Sequence, residues 1–156
     1  MRRFIVFSLG EDMFAINVGY AIEVINARPP RHIPETPGYV DGVINMRGRM
    51  FPVINMRHRL GLSGMEGKAA GRFLILRSPI GSVALAVDNV AGIEAVSSEA
   101  IVRPPVVFRG IKREYLEGIY NKADTIYIIL NIEKLMTSEE QISIQKACSS
   151  VVEREG

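Results

Sequence analysis

Gly38-Tyr-Val-Asp-Gly-Val-Ile-Asn-Met-Arg-Gly-Arg-Met-Phe-Pro-Val-Ile-Asn-Met-Arg57 holds two β-branched runs, Val43-Ile44 and Val53-Ile54, each apolar enough to form a strand. Between them stand Arg47, Gly48 and Arg49, and Gly48 can take the positive φ that a tight reversal demands. Pro52 cannot donate a ladder hydrogen bond, so the second run is expected at a sheet edge, or to begin after the proline. Read by itself the stretch is either a surface turn with two solvated arginines or a cationic tip on a stiff hairpin.

Outward from it, the same signals recur. Phe4–Leu9 and Met13–Val18, joined by Gly10-Glu-Asp12, predict a first hairpin. Ile22-Glu-Val-Ile25 predicts a third strand, with Glu23 facing away from the core. Four prolines within Arg28–Pro37 predict a stiff irregular connection. Met56–Gly61 reads as one helical turn stopped by Gly61, and 62–71 as a loose loop. Phe73–Leu76, Val83–Asp88 and Ile93–Val96 predict further strands, the last with a bulge at Gly92. Tyr115–Tyr120 and Thr125–Leu130 predict a closing hairpin. Only the end reads as helix: Ile132, Leu135 and Met136 behind an Asn131 cap, then Ser138 with Gln141 as a capping box. Ile144, Ala147, Cys148 and Val151 share its apolar face. Val43–Arg47 is repeated as Val53–Arg57, a coincidence of two paired strands. The expected class is mainly β, with residues 1–137 as one domain and 138–156 as a peripheral helix and tail.

The 156 residues are 47% hydrophobic, ample for a core. No apolar run nears the ~18 residues of a membrane span, and Ser8, Gly10 and Glu11 end the first run too soon for a signal peptide. One cysteine, Cys148, fits a reducing, cytoplasmic setting. Residues 1–113 hold 15 Lys/Arg against 9 Asp/Glu, while 114–156 hold 4 against 8. A basic body with pI 8.8 admits a nucleic-acid-binding barrel as an alternative, and a cleft-using enzyme or small-molecule binder as another.

Chemistry is scarce. His32 and His58 belong to no metal-ligand spacing, and Cys148 has no base beside it. Gly61–Lys68 fails the phosphate-loop spacing, and Ala69 stands where Ser or Thr is required. The phenylalanines lie inside apolar runs, where core residues belong, and not on a nucleic-acid stacking face. The residues point to no metal or other cofactor and no catalytic centre.

Phe4–Gly10, Tyr20–Ile25, Pro37–Gly48 with Phe51–Ile54, Val83–Asp88, Tyr115–Ile119 and Leu130–Leu135 together resemble the CheW family of chemotaxis adaptors, over roughly residues 3 to 150. Met46 stands where that family usually has Leu. The lack of a receiver domain and of a kinase core argues against the CheV and CheA types. The resemblance implies two packed five-stranded SH3-like β-barrel lobes with a short C-terminal helix. It implies a non-enzymatic scaffold, cytoplasmic and recruited to membrane receptor arrays, that couples chemoreceptor cytoplasmic tip helices to the histidine kinase CheA. It implies no nucleic-acid partner, no membrane insertion and a monomer when alone. Ala21, Glu23, Gly42, Asn45, Arg47 and Gly48 then fall at the receptor site, in a groove between the lobes. Val24 adds an apolar anchor. Arg49 is left as a surface charge, and the kinase-facing residues are left open.

Overall fold

Phe4-Ile-Val-Phe7 is an unbroken apolar run because its strand is covered on both faces. Phe4 and Val6 belong to one buried cluster, Ile5 and Phe7 to another. The computed structural model showing this describes residues 1–62 and 70–155, with side chains described to Ser150. Among the described residues are twelve strands, two α-helices and four short 3-10 turns. The order is β1 (Arg2–Leu9), β2 (Asp12–Asn17), β3 (Ala21–Asn26), β4 (Val40–Met46), β5 (Arg49–Asn55), α1 (Met56–Arg59), β6 (Arg72–Ser78) and β7 (Gly81–Val87). It continues through β8 (Asn89–Val96), β9 (Val107–Phe108), β10 (Ile111–Lys112), β11 (Leu116–Lys122), β12 (Thr125–Leu130) and α2 (Ser138–Glu155).

Ten of these strands form two five-stranded sheets. The first runs β11-β12-β2-β1-β8 and the second β3-β6-β7-β5-β4. Pairing is antiparallel except for one parallel pair in each sheet, β2 with β12 and β5 with β7. The mainly β class, the two five-stranded lobes and the C-terminal helix are all present; the pairings run edge to edge and close neither sheet into a ring.

Three packing layers follow from the strand alternation. One face of each sheet meets the other sheet in a shared core. β1 contributes Ile5 and Phe7 to it, β6 Leu74 and Leu76, β7 Val83 and Leu85, and β12 Ile128 and Leu130. The opposite face of the second sheet buries Ile44, Phe51, Val53, Phe73 and Ile75. That of the first sheet buries Phe4, Val6, Ala15, Tyr120 and Ile129. α2 lies over the second sheet, with Ile144 in the shared core and Ala147 and Cys148 against Ile33 and Val43.

Several sequence expectations are met. The first hairpin turns at Gly10 (φ 62°), α1 ends before Gly61 (φ 69°), and the register of β8 against β1 shifts beside Gly92. Others are corrected. β5 is interior, not an edge. Pro52 is tolerated there because parallel pairing with β7 begins at Val53. Opposite Val43, three pairs along from the Met46–Arg49 pair that closes the turn, it also occupies a non-hydrogen-bonded site, and Val43 spends its own N–H and carbonyl on Arg31 instead. Asn131 makes no side-chain cap for its 3-10 turn. The capping box of α2 is Thr137 with Glu140, one residue earlier than expected: Glu140 N–H donates to Thr137 Oγ1 (3.1 Å) and Thr137 N–H to Glu140 Oε1 (2.9 Å). The loose loop over 62–71 and the rejected phosphate loop fall largely outside the described residues.

Candidate functional site

β4 and β5 are joined by a two-residue turn in which both central residues, Arg47 (φ 52°) and Gly48 (φ 81°), are left-handed. This is the primed turn whose twist matches that of its strands. Gly48 suits it at no steric cost, whereas Arg47 takes the conformation against its Cβ, so partners must hold it there. Asn45 supplies one: its Oδ1 accepts the Gly48 N–H at 3.1 Å. Its carbonyl accepts from Arg28 Nη2 at 2.6 Å, tying the tip to the proline-rich segment. Asn45 therefore shapes the turn.

Glu23 supplies the other partner. Its carboxylate accepts from Arg47 Nη1 at 2.5 Å and Nη2 at 3.5 Å. The Arg47 side chain is 77% exposed and that of Glu23 28%. Hydrogen bonding and charge from Glu23 push the Arg47 guanidinium above its ordinary value, so the tip is cationic at every physiological pH. Glu23 does not face away as the sequence suggested. A register shift between Ala21 and Glu23 turns the carboxylate towards the tip and leaves Ile22 (46%) and Val24 (40%) exposed instead. β3 is an edge strand, so this apolar pair lies beside unpaired backbone. Ala21 is half-buried against the shared core.

Gly42 has a different duty. It has φ 146°, and a Cβ there would stand 2.3 Å from the Arg31 carbonyl oxygen. The missing side chain lets the proline-rich segment pair along β4, with Arg31 and Val43 exchanging two backbone hydrogen bonds of 2.8 Å. Gly42 is thus a buttress of the hairpin.

Arg47 and Glu23 border a shallow depression of about 210 Å³ whose floor is Met46, Phe51 and Ile75. Its lining residues come from strands of the second sheet and from the turn between β4 and β5. Its rim carries two residues the sequence reading did not place there, Arg49 and Arg77. Arg77 ends the apolar run of β6, which was the available signal. With three guanidiniums around one carboxylate, the depression attracts anionic or carbonyl-rich surfaces, and Ile22 offers apolar contact on the same border.

The profile of the CheW-like domain matches residues 3–140. Chemotaxis protein CheW of Treponema pallidum is 34% identical over 142 residues, spanning 87% of this chain and 82% of its own. Chemotaxis protein CheW of Klebsiella aerogenes is 26% identical over 96% of this chain and 90% of its own. Among solved structures, the scaffolding protein TtCheW of Thermoanaerobacter tengcongensis superposes with a TM-score of 0.79 at 31% identity, covering 89% of this chain and 90% of that one.

Proposed function

This chain belongs to the CheW-like domain family, and from that premise we propose that it is the coupling adaptor of a chemotaxis system, joining chemoreceptor cytoplasmic tips to the histidine kinase CheA. It acts as a scaffold and not as a catalyst. Among the described residues no helix is long and apolar enough to cross a membrane, so attachment to a receptor array would come through the receptors. Neither the fold nor the relatives favour the nucleic-acid-binding alternative, and Phe4, Phe7 and Phe14, which stacking would require at the surface, are fully buried.

The observation that carries the receptor reading is the Arg47 turn. A guanidinium held in place by Glu23, beside exposed Ile22 and Val24, is a pre-organised donor next to an apolar anchor. In this reading Arg47, Glu23, Val24 and Ala21 meet the receptor helix, while Asn45, Gly42 and Gly48 hold them in position. The kinase engages a separate surface, and the adaptor is monomeric in its absence.

Binding of Arg47→Ala to a receptor tip fragment and to the regulatory domain of CheA tests this by calorimetry. Receptor affinity is expected to fall by roughly 1–3 kcal/mol, with kinase affinity unchanged and folding stability altered by about 0.5 kcal/mol. Arg47→Glu is expected to weaken the receptor complex further. Equal losses for both partners, or an unfolded Arg47→Ala, overturn the reading.

A further inference from the structure

α1 is a single helical turn that ends on three basic residues, Arg57, His58 and Arg59, a type that ordinarily stays in water. Two of its cations are covered instead: the side chains of Arg57 and Arg59 are only 12% and 14% exposed. Arg57 is ion-paired with Asp88, the one residue lying between β7 of the second sheet and β8 of the first. The same carboxylate accepts the Gly10 N–H at 2.6 Å, and the Asp88 N–H donates to the Ser8 carbonyl at 3.0 Å. Both of these partners belong to the β1–β2 hairpin of the first sheet. Asp88 therefore joins α1, at the end of β5, to the opposite lobe.

Arg59 makes a second crossing. Its guanidinium carbon lies 4.4 Å from the ring centre of Tyr39, just before β4, and 4.9 Å from that of Tyr115, just before β11. Its Nε donates to the Leu135 carbonyl, and Nη2 stands 3.3 Å from Glu140. The group is thus held by one tyrosine from each lobe, by the chain leaving β12 and by the first turn of α2. The apolar side of α1 sends Met56 into the shared core, and Leu60 follows it there.

The shared core is apolar, and apolar contact is non-directional: it draws two faces together without fixing the angle between them. Charge-assisted hydrogen bonds and a stacked guanidinium are directional. We propose that α1 is the fastener that sets the orientation of the two lobes, with Arg59 and the Arg57–Asp88 pair as its two bolts. The fastener stands at one end of β5 and the Arg47–Gly48 turn at the other, about 23 Å apart along seven strand residues. The lobe angle is thereby referenced to the strand that carries the turn. The proposal is independent of what binds that turn.

Pulsed electron paramagnetic resonance on the full chain tests it, with nitroxides at Pro79→Cys in the second lobe and Asn121→Cys in the first, in a Cys148→Ser background. The parent is expected to give one narrow distance distribution. Arg59→Met combined with Asp88→Asn is expected to broaden it about twofold, as for domains held by a weakened interface, while amides in β2 and β7 keep their exchange protection. An unchanged width overturns the proposal. So does joint loss of protection in both sheets, which would make the arginines supports of the core as a whole. If that double variant does not fold, Arg59→Lys, which keeps charge and stem but loses the stacking plane, decides: intermediate broadening supports the fastener and parental width refutes it.

Discussion

The two sheets are one design used twice. In each, a hairpin (β1–β2 or β6–β7) lies against an edge strand (β8 or β3), and its second strand runs parallel to the second strand of another hairpin (β11–β12 or β4–β5). Tyr39 and Tyr115 enter those latter hairpins alike, their carbonyls accepting the N–H of Asn55 at 2.7 Å and of Asn131 at 2.8 Å. Gly42 and Gly118 each follow a register shift, and the next residues, Val43 and Ile119, each bridge to an irregular segment, at Arg31 and Val102. Both hairpins end in two-residue left-handed turns, Arg47-Gly48 and Ala123-Asp124.

The difference lies at the tips. In the first lobe the edge carboxylate is Glu94. It accepts the Tyr120 hydroxyl at 3.2 Å and lies 3.6 Å from Lys122 Nζ, over the stacked rings of Tyr120 and Tyr127. Burial first, and then Glu94, push the Tyr120 hydroxyl well above its ordinary value, so it stays a neutral donor. In the second lobe Glu23, among the described residues, is paired only with the exposed Arg47, and the floor beside it, Met46, Phe51 and Ile75, carries no hydroxyl to brace it. One frame therefore yields a tip braced by its own aromatics and a tip whose cation can be handed to a partner.

The equivalence breaks most strongly at the two glycines. Gly42→Ala puts a Cβ against backbone at a positive φ and is expected to cost about 3 kcal/mol in urea unfolding. Gly118→Ala meets Ile101 Cγ2 at 2.7 Å and the Val102 carbonyl oxygen at 3.1 Å, but at no unusual φ and with a wider berth from backbone, and is expected to cost about half that. Equal losses would mean that the two buttresses are interchangeable. Truncation after Thr137 removes the helix that only the second lobe wears. Loss of the buried Ile144 is expected to weaken folding by roughly 2–3 kcal/mol and leave a cooperative thermal transition; losing that transition would make the helix indispensable. Lys122→Ala should leave receptor affinity within about 0.5 kcal/mol of the parent, against the loss expected for Arg47→Ala. A matching loss would put both tips in the interface. The smallest effect concerns Glu140. Burial would raise its carboxyl, but the Thr137 N–H, the Tyr39 hydroxyl and Arg59 outweigh that and hold it below its ordinary value. Its stabilisation is then present above the ordinary carboxylate range and lost as pH falls through the depressed value. Glu140→Gln should flatten the acid limb of stability by a few tenths of a kcal/mol.

Much of this was legible in the residues. β-branched runs punctuated by glycines located the hairpins, and Gly48 announced the central turn. The internal duplication was not legible. Val43–Arg47 and Val53–Arg57 look alike by chance, whereas the structural counterparts, Tyr39–Met56 and Tyr115–Ile132, keep only Tyr, Gly and Asn at matching places. Sheet positions ask for bulk and shape, which Ile44 and Tyr120 both satisfy, so the similarity dissolved. The orientation of Glu23 depended on a register shift that no side-chain pattern marks. Pro52 misled because its missing N–H matters only where a neighbour is already paired. Arg77 joins the site because β6 pairs with β3, and Arg49 because the sheet curls far enough to bring the β4–β5 tip to the β3 edge.

The wiring of the sheets also has a history in time. The second sheet uses residues 21–87 alone, so all its strands exist once that length has been made. The first sheet pairs Met13–Ala15 with Tyr127–Ile129, across almost the whole chain. On a ribosome adding about 5–20 residues per second, the gap between the ends of β7 and β12 lasts roughly 2–9 s. Throughout that interval the β1–β2 hairpin has no parallel neighbour, and while Phe7 and Phe14 can already meet the second sheet, Phe4, Val6 and Ala15 on the opposite face wait for Tyr120 and Ile129 to cover them.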